Sequence, residues 1–285
     1  MLLALLGTIA FSAKAIIVKL AYRHGVDAVT LIAYRMLFAL PLFAALAWWS
    51  GRGRPALTRR DLLVVGGLGF SGYYLASFLD FLGLAYITAS LERLILYLSP
   101  TLVLGLGAVL FGRRPTARQL GALAVSYAGV LLVFGHEVSL AGADVALGAA
   151  FVFASALSYA FYLVYSGEEV RRLGAARLAG LASCVACVLC IVQFLILRPL
   201  SALAVAPEVI GLSLLNATAS TFAPVLMVML AIERIGAPLT AQIGMIGPLA
   251  TIAMGVVLLG EPFTLWTASG TLLVLTGIGL LTRWR

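Results

Sequence analysis

Long apolar stretches alternate with short polar connections along the whole chain. Ten of these stretches have the length of about 20 residues that a helix needs to cross a bilayer. They are residues 2–22, 28–50, 61–85, 88–111, 116–135, 145–166, 177–197, 208–231, 237–259 and 264–282. The connections carry Gly, Pro and Arg, which are typical of turns and loops. The pattern predicts an all-α membrane protein with ten transmembrane helices.

The second half of the chain repeats the first at an offset of 148 residues. Without a gap, the offset aligns Ile235 with Ile87, Ala237 with Ala89, Pro248 with Pro100, Gly255 with Gly107, Gly260 with Gly112, Thr264 with Thr116 and Gly277 with Gly129. The Pro and Gly matches carry more weight than the apolar ones, because they mark kinks and turns. We therefore predict two repeats, residues 1–135 with spans 1 to 5 and residues 145–282 with spans 6 to 10.

The charges of the connections predict the orientation of these repeats. Thirteen arginines lie in connections on the side of the N-terminus, and only Arg23 and Arg198 lie on the other side. Both termini are therefore expected in the cytoplasm. Because five spans separate the copies, the second copy is inverted. The basic Arg113-Arg114 connection and its counterpart at Glu261, which has no basic residue, agree with this. Inverted five-helix halves are typical of secondary transporters with a substrate site near the midplane.

Composition excludes several other classes of protein. Apolar residues make up 63% of the 285 residues and charged residues only 11%, which no soluble globular domain requires. The net charge of +8 is interpreted as loop bias rather than as a nucleic-acid surface. Cys184, Cys187 and Cys190 have no nearby His and are expected to be core thiols, so no metal is predicted.

No motif of an enzyme or of a cofactor site is convincing. Residues 67–72 match G-x-G-x-x-G, but they lie inside a predicted span, so close helix packing is the better interpretation. His24 and His136 belong to no catalytic constellation. We therefore expect neither enzymatic activity nor a cofactor.

The repeated motifs resemble a known family. In the first copy the resemblance lies in Ala89-Ser90, Ser99-Pro100, Gly112 and Gly129, together with Arg35-Met36 in span 2. In the second copy it lies in Gly236-Ala237-Pro238, Gly247-Pro248, Leu259-Gly260-Glu261-Pro262 and Gly277. These motifs resemble the EamA domain of the drug/metabolite transporter superfamily, in two copies over the whole chain. The family usually has Gly-Glu where this chain has Gly112-Arg113. The polar and aromatic helix faces further resemble the aromatic amino-acid exporters of the bacterial inner membrane.

Lys14 is the leading candidate for the substrate site. It stands 12 residues into the first stretch, or about 18 Å along a helix, near the middle of a ~30 Å hydrocarbon core. No carboxylate is an obvious partner in sequence, so Lys14→Met is expected to keep the fold. We predict that Lys14 faces the interior and meets a substrate carboxylate. The alternative is a hydrogen bond to backbone carbonyls of a neighbouring helix.

Polar and aromatic side chains recur at helical spacing on three other spans. They are Ser71, Tyr73, Tyr74, Ser77 and Phe78 on span 3, Ser155, Ser158, Tyr159, Tyr162 and Ser166 on span 6, and Asn216, Ser220 and Thr221 on span 8. Because hydroxyls facing lipid would be wasted, these faces are expected to turn inward. With Tyr97 and Gln242 they are predicted to line a cavity. The alternative is that they serve as polar contacts between helices.

Two further groups are candidates for movement. Pro100 and Pro248 are predicted to kink spans 4 and 9, either as hinges for alternating access or as static kinks. Arg35, Asp80, Glu92 and Arg93 all fall in the outer third of their spans. They are expected to form an outer ion-pair gate or a static network at that level.

The sequence as a whole predicts a monomeric, multi-pass secondary transporter of the bacterial inner membrane. Its expected partners are the lipid bilayer and a small-molecule substrate, an amino acid with an aromatic or other bulky apolar side chain, which it would export. Alternatives are another small metabolite, such as a nucleoside, a sugar nucleotide or a drug, or a non-coupled channel. Lys14 argues against cation export, which would favour a carboxylate at that position.

Overall fold

The computed structural model describes residues 1–112, 116–235, 240, 243–244 and 246–283. Within these residues all regular structure is helical. The first half contains α1 (Leu2–Tyr22), α2 (Ala28–Gly51), α3 (Arg59–Gly69), a π-helical segment (Phe70–Leu75), α4 (Ala76–Leu84), α5 (Ala89–Leu96), α6 (Ser99–Phe111) and α7 (Ala117–Ala141). The second half contains α8 (Ala143–Leu173), α9 (Ala175–Leu197), a 3₁₀ turn (Leu200–Leu203), α10 (Pro207–Ala217), a π-helical segment (Thr218–Phe222), α11 (Ala223–Ile235), α12 (Gly247–Met254), a π-helical segment (Gly255–Leu259) and α13 (Leu265–Arg283).

Nine stretches of the described chain are helical, long enough and apolar enough to cross a membrane. Gly247–Leu259 adds a shorter apolar helix. The remainder of the predicted ninth span lies partly outside the described residues, so the number of ten spans stays a prediction. The predicted polar linker near residue 140 is almost entirely helical, because only Gly142, at a φ of 77°, separates α7 from α8.

Helix interruptions recur at the offset of 148 residues seen in the sequence. Span 4 is interrupted between α5 and α6, and Pro100 lies in the first turn of α6, where its missing N–H is harmless. Pro248 has the same place in the first turn of α12. Two of the three π-helical segments begin at Phe70 and Thr218, again 148 residues apart. Such segments insert one residue into a turn and rotate the helix face that follows.

The two halves make the same close helix contact twice, with the roles of the halves exchanged. A Cβ added to Gly129 would lie 2.6 Å from the carbonyl oxygen of Gly270, and one added to Gly277 would lie 2.7 Å from that of Ala122. Adding 148 to Gly129 and to Ala122 gives Gly277 and Gly270, so each contact is the other with the halves exchanged. Only glycine permits this approach of α7 to α13.

Side-chain caps fix where several helices begin. Asp27 precedes α2 and accepts hydrogen bonds from the Val29 amide at 3.0 Å and from the Thr30 hydroxyl at 2.6 Å. Arg198, at the end of α9, donates to the same carboxylate at 3.2 Å. Burial alone would raise the pKa of Asp27, but the hydrogen bonds from Thr30 and the charge of Arg198 outweigh it and lower that pKa. The cap therefore remains ionised at neutral pH and also holds the start of α2 against the end of α9.

Candidate functional site

A cavity of about 540 Å³ lies among the helices of both halves. Helices α1, α2, α6, α8, α9, α11 and α13, together with spans 3 and 8 around their π-helical segments, contribute to its wall. The residues predicted for the site that line it are Lys14, Arg35, Tyr73, Ser77, Asp80, Arg93, Tyr97, Pro100, Ser155, Tyr159, Ser220 and Thr221. A volume of this size suits a small metabolite.

Lys14 is paired, in contrast to the expectation from the sequence. Its Nζ lies 2.5 Å from Oδ2 of Asp80 and 3.4 Å from Oε1 of Glu92. All three residues are buried, and Glu92 is fully inaccessible. The premise that no buried anion depends on Lys14 is therefore wrong, because α4 and α5 each bring a carboxylate to α1. Removing the ammonium would leave two carboxylates in a low-dielectric interior without their cation.

The two arginines of the cavity wall, Arg35 and Arg93, bind hydroxyls instead of the carboxylates. Arg35 Nε donates to the Thr221 hydroxyl at 3.1 Å, and its guanidinium lies 5.1 Å from the ring centroid of Phe81. Arg93 Nε donates to the Thr251 hydroxyl at 3.0 Å, and its Nη2 donates to the Phe11 carbonyl at 3.2 Å.

No salt bridge joins Arg35 or Arg93 to Asp80 or Glu92. The expectation of an ion-pair set among these four residues is thus wrong in its partners, since Lys14 takes both carboxylates. Together with Lys14, the residues Arg35, Arg93, Asp80 and Glu92 form a charged cluster. With both carboxylates ionised, the net charge of this cluster is +1. The cluster is therefore suited to an anionic group on a ligand.

Three tyrosines, together with Phe11 and Phe43, form the aromatic part of the cavity wall. Tyr73, Tyr97 and Tyr159 line it, and the Tyr97 hydroxyl donates to the Gly244 carbonyl at 2.5 Å. Tyr162 lies behind them, with its hydroxyl 3.2 Å from that of Tyr73 and its ring stacked on Tyr159 at 5.5 Å. Tyr162 is buried and does not line the cavity, so it supports the other two rings.

Several predicted residues lie away from the cavity. Tyr74 and Phe78 are partly buried, stack on each other with ring centroids 6.5 Å apart and pack against the apolar core around α2. The Ser158 hydroxyl donates to the Ser71 carbonyl at 2.8 Å, which is the helix–helix contact given as the alternative. Asn216 is buried elsewhere, and Gln242 lies outside the described residues. Pro248 and Glu92 are also absent from the wall.

Sequence reasoning did not select five hydroxyl residues of the wall for the site, Thr8, Ser12, Ser99, Ser183 and Thr282. Ser12 donates to the Gly247 carbonyl at 3.0 Å and so joins α1 to the start of α12. Two signals were present in the sequence. Thr8 and Ser12 are hydroxyl residues four positions apart, and so on one helical face, within the first apolar stretch, and Ser183 stands 148 residues after Arg35.

Hydrogen bonds connect the helix ends beyond the charged cluster. Glu261 accepts from the Ala89 amide at 2.7 Å, at the start of α5. The Thr88 hydroxyl donates to Glu137 Oε1 at 2.5 Å, and Arg23 Nη2 donates to the Leu259 carbonyl at 2.6 Å. The cavity extends the other way, toward Gly7 near the N-terminal end of α1 and Thr282 near the C-terminal end of α13. The cavity therefore approaches one end of the helix bundle, while the other end is held together.

Apolar helices of membrane-spanning length around a largely apolar interior cavity that contains a few charged and hydroxyl side chains define a multi-pass membrane transporter. Comparison with known proteins assigns the family. The family model of the EamA-like transporter family matches residues 1–135 and 146–283, so the chain belongs to that family. Members of the family are transporters rather than enzymes, which confirms the prediction that the chain has no enzymatic activity.

The chain is also similar to a protein of Bacillus subtilis (strain 168) named as the uncharacterized transporter YcbK. The two are 32% identical over 285 residues, which cover 96% of this chain and 90% of the relative. The fold is similar to that of a solved crystal structure with a TM-score of 0.66 and 19% identity, covering 100% of this chain and 98% of the other. Neither name states a substrate, so these comparisons do not support the resemblance to aromatic amino-acid exporters.

Proposed function

We propose that this EamA-like transporter exports amino acids with aromatic or other bulky apolar side chains across the bacterial inner membrane. The observation that carries the proposal is the composition of its cavity wall. Buried arginines, the Lys14–Asp80 pair and the rings of Tyr73, Tyr97 and Tyr159 meet in one space of about 540 Å³. An amino acid with a bulky apolar side chain presents both a fixed charge and a large apolar part to such a wall.

The chemistry of an amino acid matches this wall in two respects. Its carboxylate needs a cationic partner in the low-dielectric interior of a membrane protein, and the cluster has one excess positive charge. Its aromatic side chain gains contact area and edge or face interactions from tyrosine rings. A channel would not require a substrate-sized site of mixed polarity, and its flux would not saturate.

The transport mechanism in this proposal is alternating access by two inverted five-helix repeats. Ten spans, cytoplasmic termini and a monomeric protein belong to the same proposal. The exchanged contacts of Gly129 and Gly277 support a two-fold relation between the halves. In this orientation the hydrogen bonds of Glu261 lie on the periplasmic side, and the cavity extends toward the cytoplasm. The conformation is then inward-facing, which suits the loading of a substrate for export.

Counterflow in proteoliposomes tests the function. Vesicles that contain the purified protein are loaded with an unlabelled amino acid, and the entry of the same labelled compound is followed. We expect saturable counterflow with phenylalanine, tyrosine, tryptophan and leucine, and little with glycine or aspartate. Counterflow confined to nucleosides or to cationic drugs would overturn the amino-acid proposal, and non-saturable flux would indicate a channel.

A further inference from the structure

Three buried hydrogen-bond donors of the cavity wall have no partner in the described part of the chain. They are Nη1 of Arg35 and the hydroxyls of Ser183 and Ser220. The relative exposures are 6% for Arg35, 4% for Ser183 and 1% for Ser220. Buried donors are nearly always satisfied in proteins, so three on one cavity wall require an explanation.

The surroundings of Arg35 make the missing partner an anion. Its Nε is held by the Thr221 hydroxyl, and the ring of Phe81 covers its guanidinium. No carboxylate of the described residues lies within salt-bridge distance of it. Lys14, by contrast, has two carboxylates close to its ammonium group. Burying a guanidinium that no carboxylate contacts costs free energy. A planar anion that accepts hydrogen bonds from two of its N–H groups would remove that cost.

The donors come from neighbouring elements. Ser220 lies in the π-helical segment of span 8, directly before the Thr221 that binds Arg35. Ser183 lies on α9, and α2 and α9 pack along their lengths. A π-helical turn also alters the hydroxyl positions that a regular helix would give. The conformation of span 8 therefore affects the position of the Ser220 hydroxyl in the cavity wall.

We propose that Arg35, Ser183 and Ser220 form the subsite that binds the substrate carboxylate. The proposal deepens the proposed function and rests on it for the class of substrate, and it replaces Lys14 with Arg35 as the carboxylate partner. Asp80 supplies the complementary group, because its Oδ1 lacks a partner among the described residues while Oδ2 binds Lys14. Asp80 directly precedes the Phe81 that covers Arg35, so an α-ammonium group bound at Asp80 stays close to a carboxylate bound at Arg35.

Binding calorimetry with three probes tests the subsite on the full-length protein in detergent. The probes are L-phenylalanine, L-phenylalaninamide, which lacks the carboxylate, and 3-phenylpropionate, which lacks the ammonium group. The pH is kept below the amine pKa of the amide. Wild-type protein should bind phenylalanine about ten- to a hundredfold more tightly than the amide, as a charge-assisted hydrogen bond implies. Arg35→Gln should remove most of this preference by weakening phenylalanine and not the amide.

Ser183→Ala and Ser220→Ala should each reduce the preference by a smaller factor. Ser213→Ala is the matched control, since Ser213 is equally buried on α10 and its hydroxyl lacks a partner among the described residues, but it does not line the cavity. That variant should bind all three probes as the wild type does. If Arg35→Gln fails to fold, the double variant Ser183→Ala/Ser220→Ala decides the question by the same ratio.

The outcomes separate this subsite from the proposed function. If amino acids bind and the preference for phenylalanine over its amide survives Arg35→Gln and the serine variants, the subsite is overturned and the function stands. If no amino acid binds but 3-phenylpropionate binds in a way that depends on Arg35, the anion subsite stands and the amino-acid function is overturned. Binding of none of the probes to the wild type overturns both.

Discussion

Glu261 and Ser90 are joined by two hydrogen bonds although 171 residues separate them. Oε2 of Glu261 accepts from the Ser90 hydroxyl at 2.7 Å and from the Ser90 amide at 3.2 Å. Together with the bond from the Ala89 amide to Oε1, this carboxylate caps the N-terminus of α5, where the helix dipole favours a negative charge. It connects the segment after α12 to the start of span 4 and closes one end of the bundle.

Glu261→Ala is expected to favour the outward-facing conformation, because it removes this cap from the inward-facing one. A loss of about 1 kcal/mol would change the ratio of the two conformations roughly fivefold. The measurement is the rate at which an impermeant thiol reagent, applied from the periplasmic side, labels Ser77→Cys in a protein whose native cysteines are replaced by Ala. Glu208→Ala, which removes an exposed carboxylate at the start of α10, is the control. Equal labelling rates with and without Glu261 would show that the cap does not hold the outer end.

Lys14→Met is expected to destabilise the protein by about 3–5 kcal/mol, because it leaves Asp80 buried without its cation. The double variant Lys14→Met/Asp80→Leu should be less destabilised than the sum of the single variants. Unfolding of the purified protein in mixed detergent measures these free energies. Lys19→Met on the same helix is the control and should destabilise the protein less than Lys14→Met, since no salt bridge of the described residues involves Lys19. Additive effects of the two single changes would show that the pair is not energetically coupled.

Pro248→Ala is expected to slow counterflow about tenfold, or ~1.4 kcal/mol in activation free energy, with substrate binding nearly unchanged. Pro248 starts α12 and does not line the cavity, so a change there acts on the helix interruption rather than on the ligand. Pro100 is a less suitable test because it lines the cavity. Pro41→Ala is the control, since Pro41 lies inside α2 without interrupting it. Normal counterflow in Pro248→Ala would identify a static kink.

Reporter tags inserted at Arg113 and at Pro262 should be accessible from opposite sides of the membrane. The two positions follow Gly112 and Gly260, which end corresponding helices with φ angles of 64° and 72°. The inverted arrangement requires the tag at Arg113 in the cytoplasm and the tag at Pro262 in the periplasm. Tags on the same side would contradict the inversion, whatever the substrate is.

The helix faces show how far periodicity alone can predict the site. The stripe on span 3 included Tyr73, Tyr74, Ser77 and Phe78, yet only Tyr73 and Ser77 reach the cavity. Tyr74 and Phe78 are each one position further, about 100° around the helix, and pack against the core. The rotation of span 3 depends on its π-helical segment and on its neighbours, which no local pattern reveals.

The sequence by itself determined the membrane class and the family of this protein, because a bilayer requires long apolar helices and because the repeated Pro and Gly positions reflect local backbone constraints. It also identified Lys14 as a costly buried charge, and it placed Arg35 and Asp80 in the outer third of their spans as members of an ion-pair gate or network. Only the tertiary structure decided how these charges pair. Lys14 and Asp80 are 66 residues apart and meet at 2.5 Å, whereas Arg35 meets Thr221 instead of a carboxylate. Pairing of buried charges depends on which helix faces come together, and that is a property of packing between distant segments rather than of any one of them.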